Sequence, residues 1–79
     1  MQNKRLIKIV PSIANEFVQI ASGCPFEIDV ANRRRSSYAV DAKSLVGVLG
    51  LDFAEPISVS YYGSNENLEA FLNKYAFEA

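Results

Sequence analysis

Val40-Asp41-Ala42-Lys43-Ser44-Leu45-Val46-Gly47-Val48-Leu49-Gly50-Leu51 is the stretch on which the fold turns. Asp41 has a side-chain oxygen that can accept from an unpaired N–H of a first helical turn, so a short helix is predicted to begin behind it. Leu45, Val46, Val48 and Leu49 are its apolar residues, and Gly50 is available to end it. These positions fall on more than one face, so a helix resting on a single sheet would leave some of them in water. The competing reading is that the helix lies over the sheet and buries most of them.

Working outward, the chain on either side alternates between strand and helix patterns. Upstream, Arg5-Leu6-Ile7-Lys8-Ile9-Val10 reads as a strand stopped by Pro11. Ser12 can cap a helix carrying Ile13, Phe17, Ile20, Ala21 and Cys24 on one face, with Gly23 as a left-handed stop and Pro25 as a barrier to resumption. Phe26, Ile28 and Val30 alternate with Glu27 and Asp29, as in a strand with one wet face. Asn32-Arg33-Arg34-Arg35-Ser36-Ser37 reads as a polar hairpin tip, and Tyr38 and Val40 as the returning strand. Downstream, Ile57, Val59 and Tyr61 alternate with Ser58, Ser60 and Tyr62, which puts one tyrosine in the core and the other on the surface. Gly63 turns the chain, Ser64 is a good cap, and Leu68, Phe71, Leu72 and Tyr75 form a helical stripe. Glu66 and Glu69 near its start and Lys74 near its end suit the helix dipole.

The order is βαββαβα, with no internal repeat, linker or low-complexity segment. So few helices cannot cover both faces of a sheet, which favours an antiparallel sheet with helices on one side. Periodicity leaves two α+β layouts open: a ferredoxin-like split βαβ with a tail helix, and an open-faced β-sandwich.

Bulk composition bounds the function. Seventy-nine residues, 49% hydrophobic and 22% charged, suit one soluble domain over 1–79, near the lower size at which a core holds alone. A net charge of −1 gives no global attraction to nucleic acid or anionic membrane. The apolar runs are far short of a membrane span, and Met1-Gln2-Asn3-Lys4-Arg5 has no signal-peptide core, so a cytoplasmic protein is expected. The single cysteine, Cys24, reads as a small buried thiol and fits a reducing compartment. With no histidine the chain has no Ser-His or Cys-His dyad, and one cysteine cannot build a thiolate zinc site. Its four glycines stand apart and form no phosphate loop. The expectation is a protein that is not an enzyme, with no catalytic residue, metal or cofactor.

The opening stretch resembles the Ala-Lys-Ser-(Ile/Leu)-X-Gly-Val-(Met/Leu)-X-Leu segment of the histidine-containing phosphocarrier (HPr) family. Gly63-Ser64-Asn65-Glu66 with Leu68, Phe71 and Leu72 is similar to that family's last turn and C-terminal helix, and Ala14-Asn15-Glu16-Phe17-Val18 to the start of its first helix. The likeness runs over residues 5–77. It implies an open-faced β-sandwich: a four-stranded antiparallel sheet with three helices on one face. It further implies a bacterial protein of the sugar phosphotransferase system, a carrier of phosphate or a regulator through a phosphorylatable serine. Implied partners are phosphotransferase-system enzymes, a serine kinase or a transcription regulator.

The departures matter as much. The family's Gly-X-His-X-Arg-Pro loop is replaced by the shorter Pro11-Ser12-Ile13-Ala14, without the histidine that carries phosphate or its arginine. Carrier activity is therefore not expected, and Ser12 is better explained as a cap than as a substitute acceptor. Ser44 aligns with the regulatory serine, and Lys43, Leu45, Val46 and Leu49 with the patch through which family members meet their enzymes. A first-turn serine suits added negative charge; the competing reading is that it is simply a first-turn helix residue. The tip carrying Arg33, Arg34 and Arg35 is a few residues longer than the family's and offers guanidinium forks to an anion or acidic partner, or is simply solvated. The reading is a regulatory or protein-interaction module with Ser44 as its switch. The alternative is an unphosphorylated adaptor using residues 42–50 or the arginine tip.

Overall fold

The computed structural model describes residues 2–78; Met1 and Ala79, the ends of the expected domain, lie outside the described residues. The elements are β1 (Asn3–Ile7), α1 (Pro11–Ser22), β2 (Ile28–Asn32), a 3₁₀ turn (Arg33–Tyr38), β3 (Val40–Asp41), α2 (Leu45–Leu49), β4 (Ile57–Tyr61) and α3 (Glu66–Lys74). The strands form one sheet in the order β1-β4-β2-β3, antiparallel throughout. β4 thus fills the gap between β1 and β2, where a ferredoxin-like layout would put the third strand. This is the open-faced sandwich with its three helices on one face of the sheet.

The alternation of the strands decides the faces. Ile7, Ile57, Val59, Tyr61, Ile28 and Val30 turn inward to a single core, which α1 enters with Ala14, Phe17, Val18 and Ala21. α3 adds Leu68, Phe71 and Leu72. The rings of Phe17 and Phe71 lie 5.4 Å apart and those of Phe71 and Tyr75 4.8 Å, the tilted spacing aromatic pairs prefer. Tyr61 is core and Tyr62 is exposed, as alternation requires. Cys24 is buried, its Sγ 3.5 Å from the Ile20 carbonyl, and burial pushes the thiol pKa up while Lys43 pulls it partly back.

Several local expectations are corrected. α1 begins at Pro11 with Val10 at the cap position, so Ser12 is a first-turn residue and not the cap; proline's fixed φ and missing N–H make it a natural first helical residue. Gly23 ends α1 in a right-handed conformation, φ −81°, its N–H donating to the Ile20 carbonyl and the following Cys24 N–H to the Ala21 carbonyl, both at 3.1 Å. Asn65, and not Ser64, caps α3 by accepting from the Leu68 N–H at 3.0 Å. Phe26 lies before β2 and stacks on Tyr61, the centroids 5.9 Å apart. The arginine tip winds into the 3₁₀ turn, interrupted at Arg35 (φ −131°, ψ 48°), and takes in Tyr38, so the returning strand shrinks to Val40–Asp41. Residues 75–77 run along the free edge of β1: Lys8 N–H donates to the Tyr75 carbonyl at 3.0 Å and Phe77 N–H to the Leu6 carbonyl at 2.9 Å.

Candidate functional site

The short helix α2 is set by the turn before it. β3 runs through Asp41, whose backbone pairs with Asp29 of β2. The Asp41 carbonyl accepts from Ser44 N–H at 3.0 Å and its carboxylate from Lys43 N–H at 2.9 Å, closing a tight turn. Asp41 is therefore occupied as a turn residue and does not cap α2. Ser44 does: its Oγ accepts from the Gly47 N–H at 3.2 Å, placing it at the cap position instead of inside the first turn. Its side chain remains exposed.

Five residues make one turn and a fraction, so α2 cannot hide its apolar side chains together. Val48 is the residue that faces the core, 1% exposed, and Ala42 is buried beside the turn. Val46 is 85% exposed, Leu49 48% and Leu45 36%. Leu45 and Leu49, four residues apart, share one flank, and Val46 stands on another. Lys43 is half-buried, with its Nζ donating to the Cys24 carbonyl at 3.0 Å, so it ties the loop after α1 to the start of α2.

The three arginines part company along the 3₁₀ turn. Arg33 lies over the Phe77 ring, 5.5 Å from its centroid, and its N–H donates to the Pro56 carbonyl at 3.2 Å. Arg34 stands 3.9 Å from Glu55, an exposed pair of little energetic weight. Arg35 turns toward α2 and lines a hollow of about 320 Å³ shared with Tyr38, Val40, Val46 and Leu51. The structure thus brings together the arginine tip and one flank of α2, two surfaces that sequence reasoning treats as separate.

Two constellations escape sequence reasoning. Asn32, nearly buried, donates from Nδ2 to the Asp52 carbonyl at 2.7 Å and accepts from the Asp52 N–H at 2.8 Å, pinning the segment between α2 and β4 to the root of the 3₁₀ turn. Its polar type in a polar run is the only available signal, and that signal reads as loop. The second constellation joins β1, β4 and α3. Arg5 donates to Glu69 at 2.8 Å and to the side-chain amide oxygen Oδ1 of Asn73, and the Tyr61 hydroxyl donates to the other Glu69 oxygen. Burial first, then the bond to Glu69 and its charge, pushes the Tyr61 pKa up to about 12. Its members are too far apart in the chain for spacing to connect them.

Among the described residues no group of three or more His, Cys, Asp or Glu side chains is placed to hold a metal. No described helix is long and apolar enough to cross a membrane.

No family model and no curated protein matches the sequence. Among solved structures the chain is similar to the crystal structure of a phosphocarrier protein HPr from Bacillus anthracis str. Ames, with a TM-score of 0.66 and 24% identity over 95% of each chain. At that identity the likeness is one of architecture, and it agrees with the strand order described above: the chain has the HPr-like fold.

Proposed function

We propose that this protein is a regulatory protein-interaction module on the HPr-like fold, one that does not carry phosphohistidine. The observation that supports this is the solvation of α2: Val46, Leu49 and Leu45 are exposed while the neighbouring Val48 alone anchors the helix. Apolar side chains gathered on one short helix in water lose that exposure when a partner covers them. The sequence contains no imidazole, so the phosphoramidate chemistry suggested by the structural neighbour's name has no acceptor here. A photoreactive amino acid at position 46 tests the reading in cells. It is expected to give a discrete covalent adduct with a second protein, whereas the same group at Lys4, exposed on β1, gives none. Equal labelling from both positions would sink the reading.

Ser44 is proposed as the switch of this surface. Its hydroxyl is exposed and immediately precedes Leu45 and Val46. A phosphoryl group there adds a charge of about −1.5 to −2 beside the apolar side chains, discouraging an apolar partner and inviting a cationic one. Incubation with ATP and the HPr serine kinase, followed by intact mass and peptide mapping, tests this. One phosphate on the wild type and none on Ser44→Ala supports the switch. An unchanged wild-type mass leaves the unphosphorylated adaptor, working through residues 42–50 or the arginine turn, as the account of the same surface.

A further inference from the structure

Resting on the interaction reading above, we propose that the trough between the 3₁₀ turn and α2 takes an extended peptide with an apolar anchor next to an acidic side chain. Two hollows meet there. The first, about 330 Å³, is lined by the three arginines together with Asp52, Glu55 and Pro56. The second, about 320 Å³, is walled by Tyr38, Val40, Val46 and Leu51. Asn32, Arg35 and Gly50 line both, which makes the hollows contiguous.

The charge at the first end is unevenly committed. Arg33 is engaged over Phe77, and Arg34 stands opposite Glu55. The Asp52 carboxylate accepts from Ala54 N–H at 2.9 Å, within its own loop. Arg35 has no ion-pair partner among the described residues, and it stands where the two hollows join. A guanidinium so placed offers a planar fork that matches a carboxylate on two bonds. At the second end Val46 and Tyr38 are 85% and 72% exposed, and an aliphatic or aromatic side chain lying between them removes apolar surface of both from water.

A peptide fits these features better than a small anion does. Both polar atoms of the Asn32 amide are used by Asp52, and the arginines diverge, so a free phosphate would find one guanidinium without a ring or carboxylate partner among the described residues and no nest of donors. An acidic residue beside an apolar one uses both ends of the trough at once. Nucleic acid would lay successive phosphates along a wall that carries the carboxylates of Asp52 and Glu55, whereas the peptide brings a single negative charge, to Arg35.

Selection of phage-displayed random peptides on the full immobilised chain tests the proposal, followed by anisotropy titration of the enriched peptides and amide chemical-shift mapping. The enriched peptides are expected to carry an aliphatic or aromatic residue adjacent to Asp or Glu. Their affinity is expected to fall at least about tenfold on Arg35→Gln and on Val46→Ser, with circular dichroism confirming that both variants stay folded. Shifts should concentrate at Arg35, Tyr38, Gly47 and Leu51. No enrichment, enrichment of basic or purely apolar peptides, or indifference to Arg35→Gln overturns the proposal. Peptides that ignore Arg35→Gln but are lost on Leu45→Ser or Leu49→Ser overturn the trough alone and leave α2 standing as an interaction surface.

Discussion

Tyr61 shows how one side chain can give the molecule a pH limit. Its ring is buried and its hydroxyl donates to Glu69, so ionisation would place a second negative charge beside a carboxylate out of water. The folded-state pKa of about 12 lies above the ordinary value of 10.0. As the pH rises the unfolded chain therefore loses the phenolic proton first, and stability falls with pH between the two values. The contribution is intact below about pH 10 and is lost by about pH 12. Thermal melts across this window are expected to show a steeper decline for the wild type than for Tyr61→Phe, which has no proton to lose; parallel curves would contradict the assignment. Gly63 is a second residue fixed by its surroundings. Its φ of +151° disfavours any side chain, and a Cβ there would lie 2.4 Å from Cδ2 of Phe26, whose ring is itself held against Tyr61. Gly63→Ala is expected to cost about 2–3 kcal/mol in urea unfolding, partly recovered by shrinking the obstacle with Phe26→Leu.

Between elements, α2 separates what holds the fold from what is free to meet a partner. Val48 is packed in the core and Val46, two residues earlier, is in water. Val48→Ala should lower stability by roughly 1–3 kcal/mol through the cavity it leaves, while Val46→Ser should move it by less than about 0.5 kcal/mol. Chemical denaturation of the pair checks both; a destabilising Val46→Ser would mean that the side chain serves the fold. Sequence periodicity found α1, α3 and β4 because their apolar spacing is local and their core faces are wide. It put the cap of α2 on Asp41 and Ser44 inside the first turn, because both residue types cap well and the run of residues does not separate them. The choice is made by the pairing of Asp41 with Asp29, a contact across strands. The same limit hid the meeting of Arg35 with Val46 and the tie between Asn32 and Asp52, which depend on how the 3₁₀ turn folds back toward α2. The family segment was legible as a run of adjacent residues, and so the overall layout followed from it even where individual caps did not.

At the scale of the whole molecule, the buried core and the exposed side chains of α2 are different residues, and neither set requires the carrier chemistry. A chain of 79 residues has a total stability of roughly 4–12 kcal/mol. A single core truncation such as Leu68→Ala, at a fully buried position, removes about 2–5 kcal/mol of that and is expected to leave a visibly unfolded fraction at moderate urea. None of the core residues depends on a histidine loop: α1 starts directly at Pro11, and its inward face is complete from Ala14 onward. Phosphoryl transfer has no such reserve. A phosphoramidate requires an imidazole nitrogen, the chain contains no histidine, and Ser12 in the first turn of α1 is an unactivated hydroxyl with no neighbouring base of that kind. Incubated with labelled phosphoenolpyruvate and the first enzyme of the phosphotransferase system, the protein is expected to acquire no label under conditions in which an HPr is fully charged. Acid-labile label on this chain would require an acceptor other than histidine and would show that it carries phosphate. Its absence, together with a folded protein by circular dichroism, is the result that the lack of an imidazole requires.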